Sequence, residues 1–480
     1  MQGLVAFGAY VPRLRLQRAA AVQANAWFNP ALKAQAKGER AIANWDEDAI
    51  TMAVEAARDC IGAHDRARIG QAILASTTLP FQDRQNVGVV AQALSLRRDI
   101  GTLDIAGSQR AGTSALIQAL RGSGETLIVA SERRRTKAAS PQELGYGDAA
   151  AAFLVGSENV VAKLVVAHSE AVDFVDHFRG HGPQSDYDYG WEERWIRDEG
   201  YNKLLPPAVS AALKRADLTG ADIAHLCVPV AMRGVAPGLA KRLGIAEERV
   251  RDVLAANLGD AGTAHPLVML ADALAAAKPG ERILVIGFGQ GVDVLVFETT
   301  PALAKLPARL GVQGWLKRRK AETNYQRYLT WNDLVTIERG MRAEGGALPP
   351  TLSSGYRNME MLLGLMGGKC RICGTVQWPQ SNVCVNPNCN AFHSQDDHPF
   401  AEKLGKIMSY TADQLTYSPD PPACYGMVVF DEGGRFMADF TDVDSESLAV
   451  GARMRMTFRV KEFDSQRGYT RYFWKAAPAA

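Results

Sequence analysis

Four of the seven cysteines of this chain fall close together as two pairs. The pairs are Cys370 with Cys373, and Cys384 with Cys389. Two turns that each present two thiolates at such spacing can give the tetrahedral S4 coordination that structural zinc prefers. Because four cysteines leave no coordination position for a substrate, we predict a structural Zn2+ rather than a catalytic metal. A redox C-x-x-C motif is the alternative, although it needs only one pair and usually opens a helix.

Composition excludes several classes of protein. The 54 Lys and Arg residues nearly balance the 52 Asp and Glu residues, which argues against binding mainly through nucleic-acid phosphates. No apolar run approaches the roughly 18 residues of a membrane span. The first residues lack a basic stretch followed by an apolar run, so we expect no secretory signal and a cytoplasmic protein. A disulfide framework is therefore not expected.

Short strand patterns alternate with helical patterns up to about residue 300. Apolar or β-branched runs predict buried strands at 72–76, 127–131, 152–156, 226–230 and 282–287. Helical spacing of apolar residues predicts helices at 48–61, 112–121, 207–216 and 266–277. This alternation is typical of a layered α/β fold.

The composition changes after residue 300. A charged run and a Pro-Pro dipeptide suggest that residues 301–355 form a connector. Short strand-like runs follow at 427–431, 435–440, 453–460 and 469–474, separated by turns. About five short strands in this length predict a small barrel.

Five segments of the first 300 residues resemble 3-hydroxy-3-methylglutaryl-CoA (HMG-CoA) synthases, in the same order along the chain. They are residues 3–12, 38–56, 111–116, 147–156 and 287–291. The resemblance implies the thiolase superfamily, whose five-layered α-β-α-β-α sandwich is built from two similar halves, here 1–160 and 161–300. It also implies a homodimer that uses a coenzyme A thioester as substrate.

Residues 356–476 resemble the zinc-ribbon and OB-fold proteins that accompany acyl-CoA thiolases and archaeal HMG-CoA synthases. The resemblance implies a helix and a rubredoxin-like zinc ribbon at 356–399, followed by a five-stranded OB-fold barrel at 400–480. Such proteins act as a CoA shuttle or clamp. OB barrels can also bind oligonucleotides. Acidic residues such as Asp431 and Asp439 oppose that use here, so we expect no nucleic-acid partner.

The resemblance puts Gln109 in the slot of the family's catalytic cysteine, four residues before Thr113. Glutamine cannot form an acyl-enzyme, although its amide can hydrogen-bond a thioester oxygen. Glutamine at this place resembles the decarboxylating ketosynthase variants. Ser108 lies one position away. By the same resemblance, Thr77 occupies the slot of the family's glutamate, and the histidine slot falls at Pro229 or Val230.

Other polar residues could still serve chemistry. His265 matches the thiolase histidine that polarises a thioester carbonyl, and Asn257 matches the oxyanion asparagine of the synthases on a different register. Asp260, in the same loop, could act as a base. Alternatively, the dipeptide 265–266 only begins a helix and has no chemical role.

Small and basic residues could contact coenzyme A. Gly287, Gly289 and Gly291 would permit close backbone approach to the cofactor. The basic run 133–135 could contact its phosphates, although such runs are usually solvated faces.

Three functional hypotheses follow. In the first, which we favour, the protein is an enzyme that makes or breaks C–C bonds of an acyl-CoA by aldol-type or decarboxylating chemistry, without a covalent cysteine. In the second, it is a supporting subunit, and a separate thiolase partner carries the cysteine. In the third, it is a conventional condensing acyltransferase whose nucleophile is displaced to Ser108 or Cys227.

Overall fold

A computed structural model describes residues 2–180, 187–341 and 350–479. The chain divides into two units. The first comprises Met1–Asn44, Asp48–Gly88 and Arg97–Val335, and the second comprises Trp45–Glu47, Val89–Leu96 and Thr336–Ala480. None of the helices in the described ranges combines the length and the hydrophobicity that a transmembrane span requires.

The first unit alternates strands and helices. Its strands are β1 (Gly3–Tyr10), β2 (Leu14–Gln17), β3 (Glu39–Ile42), β4 (Ile69–Ala75), β5 (Gly101–Ile105), β6 (Glu125–Glu132), β7 (Ala149–Gly156), β8 (Ala162–Ala171), β9 (His177–Phe178), β10 (Tyr189–Gly190), β11 (His225–Cys227), β12 (Arg282–Phe288), β13 (Gly291–Thr299) and β14 (Lys320–Glu322). Its helices are α1 (Arg18–Asn25), α2 (Ala49–Ile61), the first residues of α3 (Asn86–Ala93), α4 (Ala111–Arg121), α5 (Pro141–Gly145), α6 (Glu193–Trp195), α7 (Asn202–Arg215), α8 (Val235–Leu243), α9 (His265–Ala276), α10 (Gly311–Lys317) and α11 (Tyr325–Trp331). Helix α3 continues into the second unit from Val89 onward. A π-helical segment, Ile196–Tyr201, joins α6 to α7.

Nine of these strands form one sheet that contains two halves of similar topology. The first half has the order β1-β7-β6-β4-β5, and the second has the order β8-β13-β12-β11. A parallel bridge between Leu226 and Val250 continues the second half beyond β11. The halves meet where Gly3 and Leu4 of β1 pair with β8. The boundary expected at residue 160 falls between β7 and β8.

Helices α4 and α9 contact strands of both halves. Helix α4 packs against β4 and β6 of the first half and β12 of the second, while α9 packs against β7, β11 and β12. Helix α2 packs on β1, β6 and β7, and α7 packs on β8 and β13. In the expected sandwich, the helices of the central layer contact strands of both halves. Helices α4 and α9 show this contact pattern.

Helix α2 begins where local chemistry predicts. The Asp48 carboxylate accepts from the Thr51 N–H at 2.9 Å, and the Thr51 hydroxyl accepts from the Asp48 N–H at 2.8 Å. This reciprocal capping box satisfies two N–H groups that a helix start leaves unpaired. Gly62, with φ of 49°, ends the helix.

The expected connector at 301–355 is wrong for its first 35 residues, because the first unit extends to Val335. Strand β14 pairs in parallel with β2. The Trp315 ring packs edge-on against Tyr10, with centroids 4.6 Å apart. The Asp59 carboxylate accepts from the Gly311 N–H at 3.0 Å, at the start of α10. Buried aromatic residues between the charges make this stretch part of the fold.

Within the described residues 350–479, the second unit has two short α-helices and two sheets. Its elements are α12 (Leu352–Arg357), α13 (Met359–Leu363), β15 (Met366–Cys370), β16 (Val376–Gln377), β17 (Gln395–Pro399), β18 (Leu404–Asp413), β19 (Ala423–Phe430), β20 (Arg435–Asp439), β21 (Arg453–Asp464) and β22 (Tyr469–Pro478). The strands β16-β15-β17 form a small sheet that carries the cysteines, and β20-β19-β18-β21-β22 form the barrel. The single helix expected at the start of the 356–399 stretch is replaced by α12 and α13, because the chain turns at Asn358 and enters β15 at Met366.

The barrel encloses aromatic and aliphatic side chains. Phe436, Phe458 and Trp474 are each at most 2% exposed. A bridge between Phe440 and Ala476 brings the two ends of the strand order together, which closes the sheet. Strand β18 was not predicted, because most of its residues are exposed and its sequence carries no clear apolar alternation.

Candidate functional site

Gln109 lies in the turn that precedes α4, beside the tight turn between β12 and β13. A Cβ atom on Gly289 would lie only 3.2 Å from the Gln109 backbone nitrogen. The Ser108 hydroxyl donates to the Gly289 carbonyl at 2.8 Å and accepts from the Arg110 N–H at 3.1 Å. Ser108 therefore uses its hydroxyl to hold the two turns together, and no histidine contacts it as a base among the described residues.

The Gln109 amide faces a histidine and an arginine. With its oxygen turned toward them, Gln109 accepts from Nε2 of His177 at 2.7 Å and from the Arg134 guanidinium at 2.9 and 3.3 Å. Nδ1 of His177 lies 3.1 Å from the Asp176 carboxylate. His177 therefore lies between the Gln109 amide and the Asp176 carboxylate. Because the amide oxygen of Gln109 already accepts hydrogen bonds from His177 and Arg134, the NH2 group is the part of its side chain that could donate to a substrate.

Arg134 is the buried cation of this cluster. Its side chain is 1% exposed and lies 2.9 Å from Asp188 and 3.4 Å from Asp260. The guanidinium also stacks on the Tyr146 ring, 3.4 Å from the centroid. Burial alone would lower the pKa of Arg134, but Tyr146, Asp188 and Asp260 together raise it above its ordinary value. The site therefore holds a permanent positive charge within reach of the Gln109 amide.

Asp260 belongs to the cluster, as the sequence suggested. Its side chain is 30% exposed. One oxygen accepts from the Gly262 N–H at 2.8 Å. Burial raises the pKa of this carboxyl, but Arg134 and His265 outweigh burial, so the pKa lies below its ordinary value. Asp260 is therefore an ionised acceptor that is partly open to solvent.

His265 and Asn257 do not join this cluster. Nδ1 of His265 accepts from the Ala261 N–H at 3.1 Å, and Nε2 lies 3.0 Å from the Val253 carbonyl. Burial lowers the pKa of His265. The ring is neutral and 1% exposed, and both of its nitrogens bind backbone groups. This fits the alternative in which His265 only begins a helix, rather than the predicted catalytic role. Asn257 is exposed on a turn, and its side chain makes no hydrogen bond to the cluster in the part of the chain that the structure describes.

The three glycines predicted to contact coenzyme A are buried and serve packing instead. A Cβ on Gly287 would lie 2.1 Å from the Thr113 hydroxyl, and one on Gly291 would lie 2.1 Å from the Glu170 carbonyl. Gly289 fits against the turn at Gln109 in the same way. These positions need glycine so that the β12–β13 turn can lie against the start of α4.

Cys227 is unsuited to act as a displaced nucleophile. It is 0% exposed, and its sulfur lies 3.7 Å from the Met269 carbonyl. Burial raises the pKa of its thiol to about 12, so the reactive thiolate is scarce at neutral pH. The structure gives it a packing role.

A buried carboxylate lies beside the position that the resemblance assigned to the family's glutamate. Glu132, at the end of β6, is 0% exposed. It accepts from the Thr77 hydroxyl at 2.9 Å and from the Thr77 N–H at 3.2 Å. The carboxylate is thus supplied by the neighbouring strand rather than by the strand that ends at Thr77.

Most partners of Gln109 are not predictable from local sequence patterns. His177 lies 68 positions away, after β8, in a segment without any recognised motif. Arg134 stands out in the sequence only as part of the basic run 133–135. The available signals were the Asp176-His177 dipeptide, in a chain with only 8 histidines, and the apolar strand that leads into Arg134.

Asp293 holds the start of α4 in place. This β13 residue is 1% exposed. It accepts from Arg110 at 3.1 Å, Thr113 at 2.9 Å, Ser114 at 2.8 Å and Ser169 at 2.7 Å. One carboxylate from the second half of the sheet therefore fixes the segment that carries Gln109.

We expect Asp293→Ala to lower the free energy of unfolding of the first unit by about 3–5 kcal/mol, because it removes the buried carboxylate that pairs with Arg110 and accepts from three hydroxyl groups. Asp293→Asn keeps the shape of the side chain and one acceptor oxygen, so it should lower the free energy of unfolding by less than the alanine variant does. Chemical denaturation followed by far-UV circular dichroism measures both. Equal stability of the alanine variant and the native protein would contradict this role.

The four clustered cysteines meet the geometric test for zinc. Their sulfur atoms all lie within 4.8 Å of one another. The sulfurs of Cys370 and Cys389 are 4.0 Å apart, and those of Cys373 and Cys384 are 3.5 Å apart. Zn–S bonds of about 2.3 Å in a tetrahedron give S–S distances of about 3.8 Å. The residues present therefore fit the ion.

Two family models match parts of the chain. Residues 213–296 match the model described as 3-oxoacyl-[acyl-carrier-protein (ACP)] synthase III C terminal. Residues 400–459 match the C-terminal OB-fold domain of ChsH2. The second match confirms the predicted OB fold.

Curated relatives match the first part of the chain. A hydroxymethylglutaryl-CoA synthase of Caldivirga maquilingensis is 26% identical over 355 residues, which are 70% of this chain and 99% of that protein. One of Aeropyrum pernix is 28% identical over 330 residues, which are 66% of this chain and 90% of that protein.

Solved structures share the fold. The HMG synthase of the curacin biosynthetic pathway, in complex with acetyl donor-ACP, has a TM-score of 0.60 at 18% identity, covering 69% of this chain and 88% of that one. An HMG-CoA synthase complexed with CoA has a TM-score of 0.58 at 16% identity, covering 71% and 92%. The predicted thiolase-like α/β fold is confirmed.

Proposed function

We propose that this chain, a thiolase-superfamily protein in which an HMG-CoA-synthase-like part is fused to an OB-fold part, forms or cleaves C–C bonds of acyl-CoA thioesters without a covalent acyl-enzyme. One observation carries the proposal. The amide of Gln109 stands in the nucleophile slot and is held by His177 and Arg134 in a buried, charged cluster. An amide so fixed can donate hydrogen bonds, but it cannot accept an acyl group.

An aldol-type reaction fits this set of groups, because no acyl group has to pass to the protein. In the cleavage direction, a base takes the proton from the β-hydroxyl of a β-hydroxyacyl-CoA. The Cα–Cβ bond breaks, its electron pair moves into the thioester to form an enolate, and a carbonyl compound leaves. Protonation at Cα gives the shorter acyl-CoA. The step is redox-neutral, and its reverse is aldol addition.

Each role has a candidate in the cluster. The NH2 group of Gln109 donates to the thioester oxygen, where negative charge develops. Asp260, ionised and partly open to solvent, receives the hydroxyl proton. Arg134 adds positive charge near the developing enolate. Decarboxylation of an acyl-CoA that carries a carboxylate on Cα would use the same oxyanion donor, since loss of CO2 from Cα also leaves an enolate.

The second unit supports the same assignment. We propose that Cys370, Cys373, Cys384 and Cys389 hold a structural Zn2+, which cross-links the small sheet. The ion would supply folding free energy and take no part in the reaction. We also propose that the OB-fold part handles coenzyme A, and that the protein works as a cytoplasmic homodimer.

The decisive experiment incubates the purified full-length protein with a panel of β-hydroxyacyl- and β-ketoacyl-CoAs and follows products and intact protein by mass spectrometry. A product that forms without added partner and without a mass increase of the protein supports the proposal. Product only after addition of a cysteine-bearing thiolase would indicate a supporting subunit. An acylated peptide at Ser108 or Cys227 would restore the condensing-enzyme hypothesis.

A further inference from the structure

Four large aromatic side chains are exposed close in sequence to the Gln109 cluster. They are Phe178 at 49%, Tyr189 at 59%, Trp191 at 53% and Trp195 at 36%. The same segment carries two residues of the cluster. His177 pairs with Asp176, and Asp188 pairs with Arg134. Neighbouring exposed aromatic residues usually mark a surface that binds something.

The short hairpin β9–β10 presents two different faces. Phe178 pairs with Tyr189 across the hairpin, and their ring centroids are 5.4 Å apart. Successive side chains of a strand point to opposite faces. The adjoining residues His177 and Asp188 meet the buried cluster, so the hairpin joins the site to an exposed aromatic surface.

A row of aromatic rings leads inward from this surface. The centroid distances are 6.3 Å for Trp191 and Trp195, 4.3 Å for Trp195 and Phe174, 6.1 Å for Phe174 and Phe288, and 4.8 Å for Phe288 and Tyr201. We call these five residues the aromatic row. Burial increases from Trp191 to the core residues Phe174 and Phe288, which are only 8% and 7% exposed. Phe288 directly precedes Gly289, which lies against Gln109.

Without a covalent bond between the acyl group and the protein, an exposed apolar surface can contribute to substrate binding. An enzyme with a catalytic cysteine keeps its acyl group attached through a thioester, whatever the size of that group. With Gln109 in the slot, the acyl group is held only by contacts. Each buried methylene strengthens binding by about fourfold, so an acetyl group gains little and a large apolar acyl group gains much.

Resting on the proposed function, we propose that the substrate carries a large apolar acyl group whose distal end packs against the exposed rings at the outer end of the aromatic row, Trp191 and Trp195, and against Phe178 and Tyr189 of the hairpin. Phe174 and Phe288 belong to the core behind these rings. The hairpin that carries Phe178 also carries His177, which contacts Gln109, so the exposed rings adjoin the candidate site. A second copy of this chain is the competing occupant of the exposed rings, and the experiment separates the two.

The test measures the affinity of the full-length protein for acetyl-, hexanoyl- and dodecanoyl-CoA by calorimetry. We expect the affinity to rise with chain length, by up to about fourfold per methylene. Trp191→Ala and Trp195→Ala should flatten this dependence while leaving the affinity for acetyl-CoA unchanged. Trp27→Ala is the matched control, because Trp27 is 83% exposed between α1 and the rest of the first half. Trp195→Phe should retain most of the dependence.

Equal affinity for the three thioesters would overturn this inference and leave the proposed function standing. A change from dimer to monomer in Trp191→Ala, by light scattering, with the dependence on chain length intact, would overturn it in favour of a second copy. Failure of all three thioesters to bind would overturn the proposed function instead.

Discussion

Gln109→Ala is expected to lower the turnover of the productive acyl-CoA substrate by about 10²–10³-fold, because it removes a fixed donor to the developing oxyanion. The loss should fall on kcat rather than on KM, since the donor stabilises charge that exists only in the transition state. The variant also leaves His177 and Arg134 without their shared acceptor. Steady-state kinetics with the substrate identified by mass spectrometry would measure the effect.

The matched control is Gln118→Ala, which removes an exposed glutamine from α4, the helix that follows Gln109. It should leave the kinetics unchanged. Gln109→Glu keeps the length of the side chain but replaces the NH2 donor with an acceptor, so it should be impaired at least as strongly as the alanine variant. Full activity of Gln109→Ala would remove the proposed role of this residue.

Cys384→Ser is expected to release zinc and to unfold the small sheet of the second unit. Zinc bound to four thiolates contributes roughly 10–16 kcal/mol of apparent binding free energy, and for such a site this is folding free energy. Cys384 is only 1% exposed, so hydration cannot easily replace the lost bond. Metal analysis should give one zinc per native chain and less in the variant, and hydrogen exchange should show faster exchange in β15–β17.

Cys424→Ser is the control for this experiment, because Cys424 lies on β19 of the same unit and outside the cysteine cluster. Its zinc content should equal that of the native protein. Purified native protein without zinc, or full zinc retention in Cys384→Ser, would show that the cluster is not a metal site.

Local patterns were enough to predict the elements whose burial follows a simple period. Helices α2, α4 and α9 carry apolar faces at helical spacing, and the capping box at Asp48 marks where α2 begins. Strand β18 and the stretch at 301–335 could not be predicted in this way. The first is largely exposed, and the second folds through Trp315 and other aromatic residues scattered among charges.

The residues of the candidate site also differ in whether local sequence patterns indicate them. A resemblance in the segment that follows Gln109 was enough to propose that residue as a candidate, because the expected nucleophile slot and the start of α4 are adjacent in sequence. His177 and Arg134 reach Gln109 only after the two halves have folded together. No periodic pattern within one segment encodes these contacts, so they can be identified only from the tertiary structure.

The carboxylate of Glu132 beside Thr77 restricts which residues position 77 can hold. A glutamate at position 77 would put a second carboxylate where the Thr77 hydroxyl now donates at 2.9 Å. Two carboxylates in one pocket repel unless one takes up a proton. An acidic residue at position 77 therefore requires a compensating change at position 132.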